Sequence, residues 1–184
     1  MIDCLELIGR YCPTDSPLYD VLTGHSRQVA TLAVDLSERL VGRGVPVDVD
    51  FVYEAAMLHD IGIVRVDAPS IHCHGSEPYI RHGVAGRAIL ESLGLYRHAL
   101  VCERHTGAGL TARDIVLQQL PLPHRDMLPV TIEEQVVCYA DKFFSKTHVG
   151  DTARTVDEAR SKLAKFGDET LARFDAMNVL FGAP

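Results

Sequence analysis

His59 and Asp60 stand side by side at the end of the apolar run Phe51-Val52-Tyr53-Glu54-Ala55-Ala56-Met57-Leu58, and Ile61-Gly62 follow at once. An imidazole and a carboxylate delivered together at a helix end suit a metal ion. Such a donor set favours first-row ions such as iron, manganese, nickel or zinc over the all-oxygen sites of calcium. Adjacent residues point apart on a regular helix, so both reach one centre only where the helix unwinds, which Gly62 permits. Asp141 poses a related question. In the helix that Thr131 and Glu134 cap and that is predicted to run to about residue 148, it shares a face with Val137, Cys138 and Phe144, so its carboxylate points inward. An unpaired ionised carboxylate is costly to bury, and it persists there only with a cation, strong hydrogen bonds or a proton. His25, whose face continues through Val29, Leu32 and Leu36, has a milder form of the problem. A hydrogen-bonded core histidine solves that problem more often than a metal ligand does.

The elements that must position these residues are helical. Apolar residues recur at spacings of three and four in several long segments, and β-branched runs with alternating pattern hardly occur, so the predicted class is all-α. Asp15 or Ser16 caps a helix with Pro17 in its first turn, running to about Val41, where Gly42, Gly44 and Pro46 stop it. Further helices are predicted at about 50–59, 83–93, 96–105, 156–166 and 168–180, with a short one from Thr111 to about Gln119. Residues 62–81 read as a loop, and Pro121, Pro123 and Pro129 force an irregular segment that either covers a site or packs on the surface. With 184 residues, 47% of them hydrophobic, the chain suffices for one domain, with a core at about 20–148 and the C-terminal helices at 156–180.

Charge and cysteine content narrow the partners. The net charge of −7 arises from 25 acids against 18 bases with no basic block, which argues against a nucleic-acid polymer and for a small soluble substrate. No apolar run approaches the roughly 18 residues of a membrane span, and the first residues lack a signal pattern, so a cytoplasmic protein without membrane association is expected. Five cysteines without a C-x-x-C pair read as reduced packing residues. Leu163, Phe166, Leu171, Phe174, Val179, Leu180 and Phe181 offer apolar area for packing within the chain or for a homodimer.

The ordered set His25, His59-Asp60 and Asp141 resembles the HD superfamily of metal-dependent phosphohydrolases. His59-Asp60-Ile61-Gly62 matches the H-D-I-G string frequent in that superfamily, and His82-Gly83 and His105-Thr106-Gly107 match the extra histidines of its two-metal branches. The resemblance spans about residues 20–148. It implies an HD-type helical bundle binding two divalent ions of the iron, manganese, nickel or zinc type. His25, His59, Asp60 and Asp141 would hold one ion, and His82, His105 and a bridging Asp60 the other, with Asp60 the catalytic residue and a bridging hydroxide the nucleophile for a phosphate mono- or diester. Where the cyclic-dinucleotide phosphodiesterases of the superfamily carry a lysine after H-D-I-G, this chain has Ile63, so the phosphate contact falls to Arg65, Lys142 or Lys146, with His72 and His74 as further substrate contacts. His98, His124 and His148 are expected to be structural or surface residues. The same ligand set also serves di-iron oxygenases of the HD fold, and a retained site in a nucleotide-binding module would look alike.

Overall fold

The computed structural model describes residues 2–150 and 152–184. Among them the chain forms α1 (Cys4–Gly9), α2 (Pro17–Gly42), α3 (Val49–Leu58), α4 (His82–Ser92), α5 (Tyr96–Arg104), α6 (Ala112–Leu117), α7 (Ile132–Asp141), α8 (Val156–Ala164) and α9 (Asp168–Phe181). The class is all-α, as the periodicity predicts. Ser16 caps α2 by accepting the Tyr19 amide, with Pro17 opening the helix. The buried stripe Leu22, Val29, Ala33, Leu36 and Leu40 lays α2 along α3 and α7. Helix α3 is buried on nearly all sides, and α4 packs on α5 and on the 3-10 turn Ile61–Arg65.

The C-terminal helices close the same core. Tyr139 of α7 is fully buried, with its ring against Phe143, Phe174 and Phe181 and its hydroxyl donating to Asn178 Oδ1 at 2.7 Å. Leu163, Phe174 and Phe181 are therefore used within the chain, while Phe166 and Val179 remain exposed.

Several local expectations need correction. The segment expected to be a loop contains a small sheet of order β2-β1-β3, from β1 (Val66–Ala68), β2 (Cys73–His74) and β3 (Glu77–Pro78). β1 pairs antiparallel with β2 and parallel with β3, and its strands are too short for an alternating pattern to show in the sequence. α1 was not predicted, because one and a half turns give too little periodicity; Asp3 caps it and Cys4, Leu7 and Ile8 bury its inner face. α7 ends at Asp141 rather than near His148: the amides of Lys142, Phe143 and Phe144 turn back to carbonyls three residues earlier, and the Arg154 guanidinium takes the carbonyl oxygens of Lys142 and Phe144. The cap expected at Thr131 and Glu134 is also incomplete. Thr111 and Asp114 close both arms of a capping box, whereas at Thr131 only the hydroxyl arm forms, since the Glu134 oxygens both accept from Arg104 Nη1 and one accepts the Val130 amide.

Close backbone contacts lock the part of the fold that carries His59, Asp60 and His82. A Cβ on Gly62 would overlap the His82 carbonyl oxygen and the Gly86 amide, and one on Gly83 would sit 2.6 Å from the Cys102 carbonyl oxygen. Replacing Gly62 by Ala is therefore expected to cost more than about 2 kcal/mol in denaturant unfolding. Gly42→Ala, with nothing within 4 Å, is the control and should stay within about 0.5 kcal/mol of the parent.

Candidate metal centre

Helix ends build the centre. His59 caps the C-terminus of α3, Asp60 opens the 3-10 turn, His82 is the first residue of α4, His105 caps the C-terminus of α5, and Asp141 is the last residue of α7. Only His25 comes from the middle of a helix, α2. The unwinding that the His59-Asp60 doublet requires is present: α3 stops at Leu58, and Asp60 takes φ −107° and ψ 8°, between the helical and extended regions. Both side chains then face one centre.

Asp60 sits at the middle. Its Oδ2 lies 3.3 Å from His25 Nε2 and 3.2 Å from His59 Nε2, while its Oδ1 lies 3.4 Å from His105 Nε2 and 3.6 Å from His82 Nε2. Each carboxylate oxygen thus serves a different pair of imidazoles. Asp141 Oδ1 completes the first group, 3.0 Å from His25 Nε2 and 3.5 Å from His59 Nε2. The ligand atoms of His25, His59, Asp60 and Asp141, and separately those of Asp60, His82 and His105, lie within 4.8 Å of one another.

The donor chemistry fits divalent cations. The Nδ1 of His59, His82 and His105 each faces the carbonyl oxygen three residues earlier, of Ala56, Tyr79 and Cys102, at 2.6, 2.8 and 2.8 Å. When neutral, a ring donating from Nδ1 presents a bare lone pair at Nε2. In the neutral rings, those of His82 and His105 face each other at 3.0 Å, an arrangement that repels unless a positive centre lies between or beside them. His59 Nε2 and both Asp60 oxygens are buried without a well-directed hydrogen bond, despite their ion-pair contacts. These are the orphaned atoms that a bound cation would satisfy.

Residues 22–145 match the family model of the HD domain. The chain belongs to the HD-domain family. It is 35% identical over 142 residues to an uncharacterised protein of Methanocaldococcus jannaschii, covering 77% of this chain and 76% of that one. It is also 30% identical over 171 residues to a tRNA (cytidine(56)-2′-O)-methyltransferase of Thermoplasma volcanium, covering 92% of this chain and 44% of that protein. The protein of the same name from Picrophilus torridus is 31% identical over 144 residues, covering 78% and 37%. The chain thus spans less than half the length of either methyltransferase. Among solved structures, the HD domain of the L. monocytogenes phosphodiesterase PgpH superposes with a TM-score of 0.55 at 14% identity, over 98% of this chain and 96% of that one, a likeness of fold. HD domains bind divalent metals, and the two His/Asp clusters are where this one could hold them.

Two lysines enter the HD site from the segment beyond α7. Lys146 Nζ lies 2.7 Å from Asp60 Oδ2, and Lys142 Nζ lies 2.7 Å from Asp141 Oδ2 while donating to the His105 carbonyl oxygen at 2.9 Å. Lys142 thereby ties a carboxylate of one cluster to the backbone of a histidine in the other. Both lysines line a cavity of about 560 Å³ that meets the centre at Asp141. Arg65, His72 and His74 are exposed and do not line it, so the geometry gives them no place beside the centre. No residue of the proline-rich segment lines it either: Leu122 and Met127 pack on Ile115, and Arg125 pairs with Glu103. His98 pairs with Glu54 at 3.1 Å, a structural role. Tyr79, which the sequence reading passed over, lines the cavity and stacks on His82 with ring centroids 4.8 Å apart. Its only sequence signal is its place three residues before a candidate ligand.

Protonation follows the geometry. Burial alone would raise the Asp60 carboxyl, but Lys146 and the imidazoles of His59, His105 and His25 hold it well below the usual carboxylate range. Burial likewise opposes ionisation of Asp141, and Lys142 and Lys146 overcome it. Burial and its neighbour His105 push His82 down to about 3. His59 goes the other way: burial lowers it, but Asp60 and Asp141 outweigh that and raise it to about 9. At pH 7 without a divalent ion His59 therefore carries a proton that an entering ion must displace, whereas His82 carries none. Ion uptake at neutral pH is expected to release about one proton, and apparent affinity should climb as pH rises toward 9 and then flatten. Titration calorimetry in buffers of different ionisation enthalpy reads this directly. His59→Ala should abolish the release and His82→Ala should preserve it, and the opposite pattern would place the displaced proton elsewhere.

Proposed function

We propose that this HD domain is a metal-dependent phosphohydrolase that cleaves a small phosphate mono- or diester, nucleotide-like or organic, with one divalent ion at each cluster. The observation that carries this reading is the division of Asp60: one oxygen faces His25 and His59, the other His82 and His105. Asp60 would thus contribute to holding an ion at either cluster. Divalent ions bound there supply Lewis acidity, which lowers the pKa of water and neutralises charge on phosphoryl oxygens. The chain's own residues supply the rest. Carbonyl oxygens of Ala56, Tyr79 and Cys102 fix the three rings, so the donor nitrogens need no reorientation during turnover. Lys142 holds Asp141 against the second cluster. Lys146 is the lysine best placed to meet a phosphoryl oxygen, because its ammonium lies both beside Asp60 and on the cavity wall.

The methyl transfer named for two relatives is not part of this proposal, since the chain spans less than half of their length. The decisive experiment is phosphate release from nucleotides, dinucleoside polyphosphates and simple organic phosphates, run without oxygen in the presence of iron, manganese, nickel or zinc. Release is expected from at least one class and should fall by about 10²-fold or more in Asp60→Ala, together with bound metal. His82→Ala should bind less metal, keeping the first cluster's share, while His74→Ala keeps both metal and turnover. Silence across the panel from metal-loaded protein, or normal turnover in Asp60→Ala, would sink the reading.

A further inference from the structure

The cavity that meets the centre at Asp141 is cationic in an acidic protein. Against the chain's net charge of −7, its wall carries Lys142, Lys146, Arg154, Lys162 and Lys165, with Asp141 the one acid among the described residues that line it. The three inner cations are committed. Lys142 holds Asp141 and the His105 carbonyl, Lys146 meets Asp60, and Arg154 donates to the carbonyl oxygens of Lys142 and Phe144. The two outer ones are not.

Lys162 and Lys165 stand three residues apart at the C-terminal end of α8, and both are exposed. Neither forms an ion pair with a described residue: Lys162 feels Glu158 one turn earlier without closing on it, and the Lys165 ammonium lies 4.9 Å over the Phe166 ring. Leu163 between them is buried, which pins this end of α8 against the core and fixes the lysines at the cavity rim. Exposure thus increases from Asp141, Lys142 and Lys146 at the inner end to Lys162, Lys165 and Phe166 at the outer end, with Ile71, Phe144 and Leu163 along the wall.

Resting on the phosphohydrolase reading, we infer that the substrate is a phosphate ester bearing a second phosphoryl group, held at its far end by Lys162 and Lys165. At about 560 Å³ the cavity far exceeds a phosphoryl group and lies within the range of about 300–1,000 Å³ typical of sites for larger ligands. A partly apolar wall between an inner end that would hold divalent ions and a cationic rim fits a molecule with a carbon framework between two anions. Two ammonium groups three residues apart on one helix face suit a dianionic phosphoryl group better than a single carboxylate.

Non-hydrolysable probes test this without relying on turnover. Calorimetric binding of methylphosphonate and of a series of alkane-α,ω-diphosphonates of increasing length would be measured on manganese-loaded protein and on the Lys162→Gln/Lys165→Gln variant. The best-fitting diphosphonate is expected to bind the parent about tenfold tighter than methylphosphonate, an advantage lost in the variant. Methylphosphonate should bind both proteins alike, since both altered side chains are exposed and neither pairs with a ligand residue. If it does, yet no diphosphonate gains affinity or the variant keeps the gain, the inference falls and the phosphohydrolase reading stands. Absence of metal-dependent methylphosphonate binding would overturn both.

Discussion

The carboxylate of Asp60 has no accessible surface and remains ionised, because four imidazoles and one ammonium surround it. An isolated charge in that position is prohibitively expensive, so cationic and hydrogen-bonding groups must converge on it from several elements. That requirement explains why the ligands occupy helix termini. A helix can carry one inward residue in its middle, as α2 does with His25, but five further side chains converging on one point would crowd if each helix ran past it. Ending α3, α5 and α7 at the centre, and starting α4 there, brings the side chains in without their helices colliding.

The same constraint shapes the surrounding backbone. The 3-10 turn after Asp60 must approach α4 until Gly62 touches the His82 carbonyl and Gly86, and α4 must approach α5 until Gly83 meets Cys102. These contacts set the spacing between Asp60, His82 and His105 more firmly than side-chain packing alone, since a backbone contact has no rotamer to relieve it. The early end of α7 belongs to the same design. Had the helix continued to His148, Lys146 would lie more than a turn further along its axis from Asp141. The irregular turn held by Arg154 lets Lys146 fold back to Asp60 while Lys142 remains on Asp141.

Much of this was legible in the sequence, and what was missed has a common cause. His25, His59, Asp60, His82, His105 and Asp141 announce themselves because polar, metal-binding types stand at inward positions or beside glycine, and the long helices carry enough turns for their period to show. Lys142 and Lys146 could be named as phosphate contacts, yet not their division of labour, since the end of α7 depends on Arg154, which approaches from a segment with no periodicity of its own. Arg65, His72 and His74 looked close to the ligands because they are close along the chain, but they stand exposed at the end of the 3-10 turn, in a left-handed turn and on β2. Lys162, Lys165 and Phe166 show the converse: nothing in the sequence ties α8 to a site whose last ligand is at 141, and only Leu163 and Ala159, buried against the core, bring it there.

Backbone electrostatics adds to what the side chains do. Three helices, α3, α5 and α7, end at the centre with His59, His105 and Asp141, and each directs the negative end of its dipole inward, equivalent to about half an elementary charge. Only α4 opposes them with its N-terminus at His82. Together with the ionised Asp60 and Asp141, these ends make the innermost region strongly favourable to cations and hostile to a phosphate. The lysines do not reverse this, because Lys142 and Lys146 are already paired with those carboxylates. On the proposed reaction, then, the order of events is fixed by charge: divalent ions must be in place before a phosphoryl group can approach, and the cationic outer rim serves to hold the substrate where the inner site without its ions would repel it.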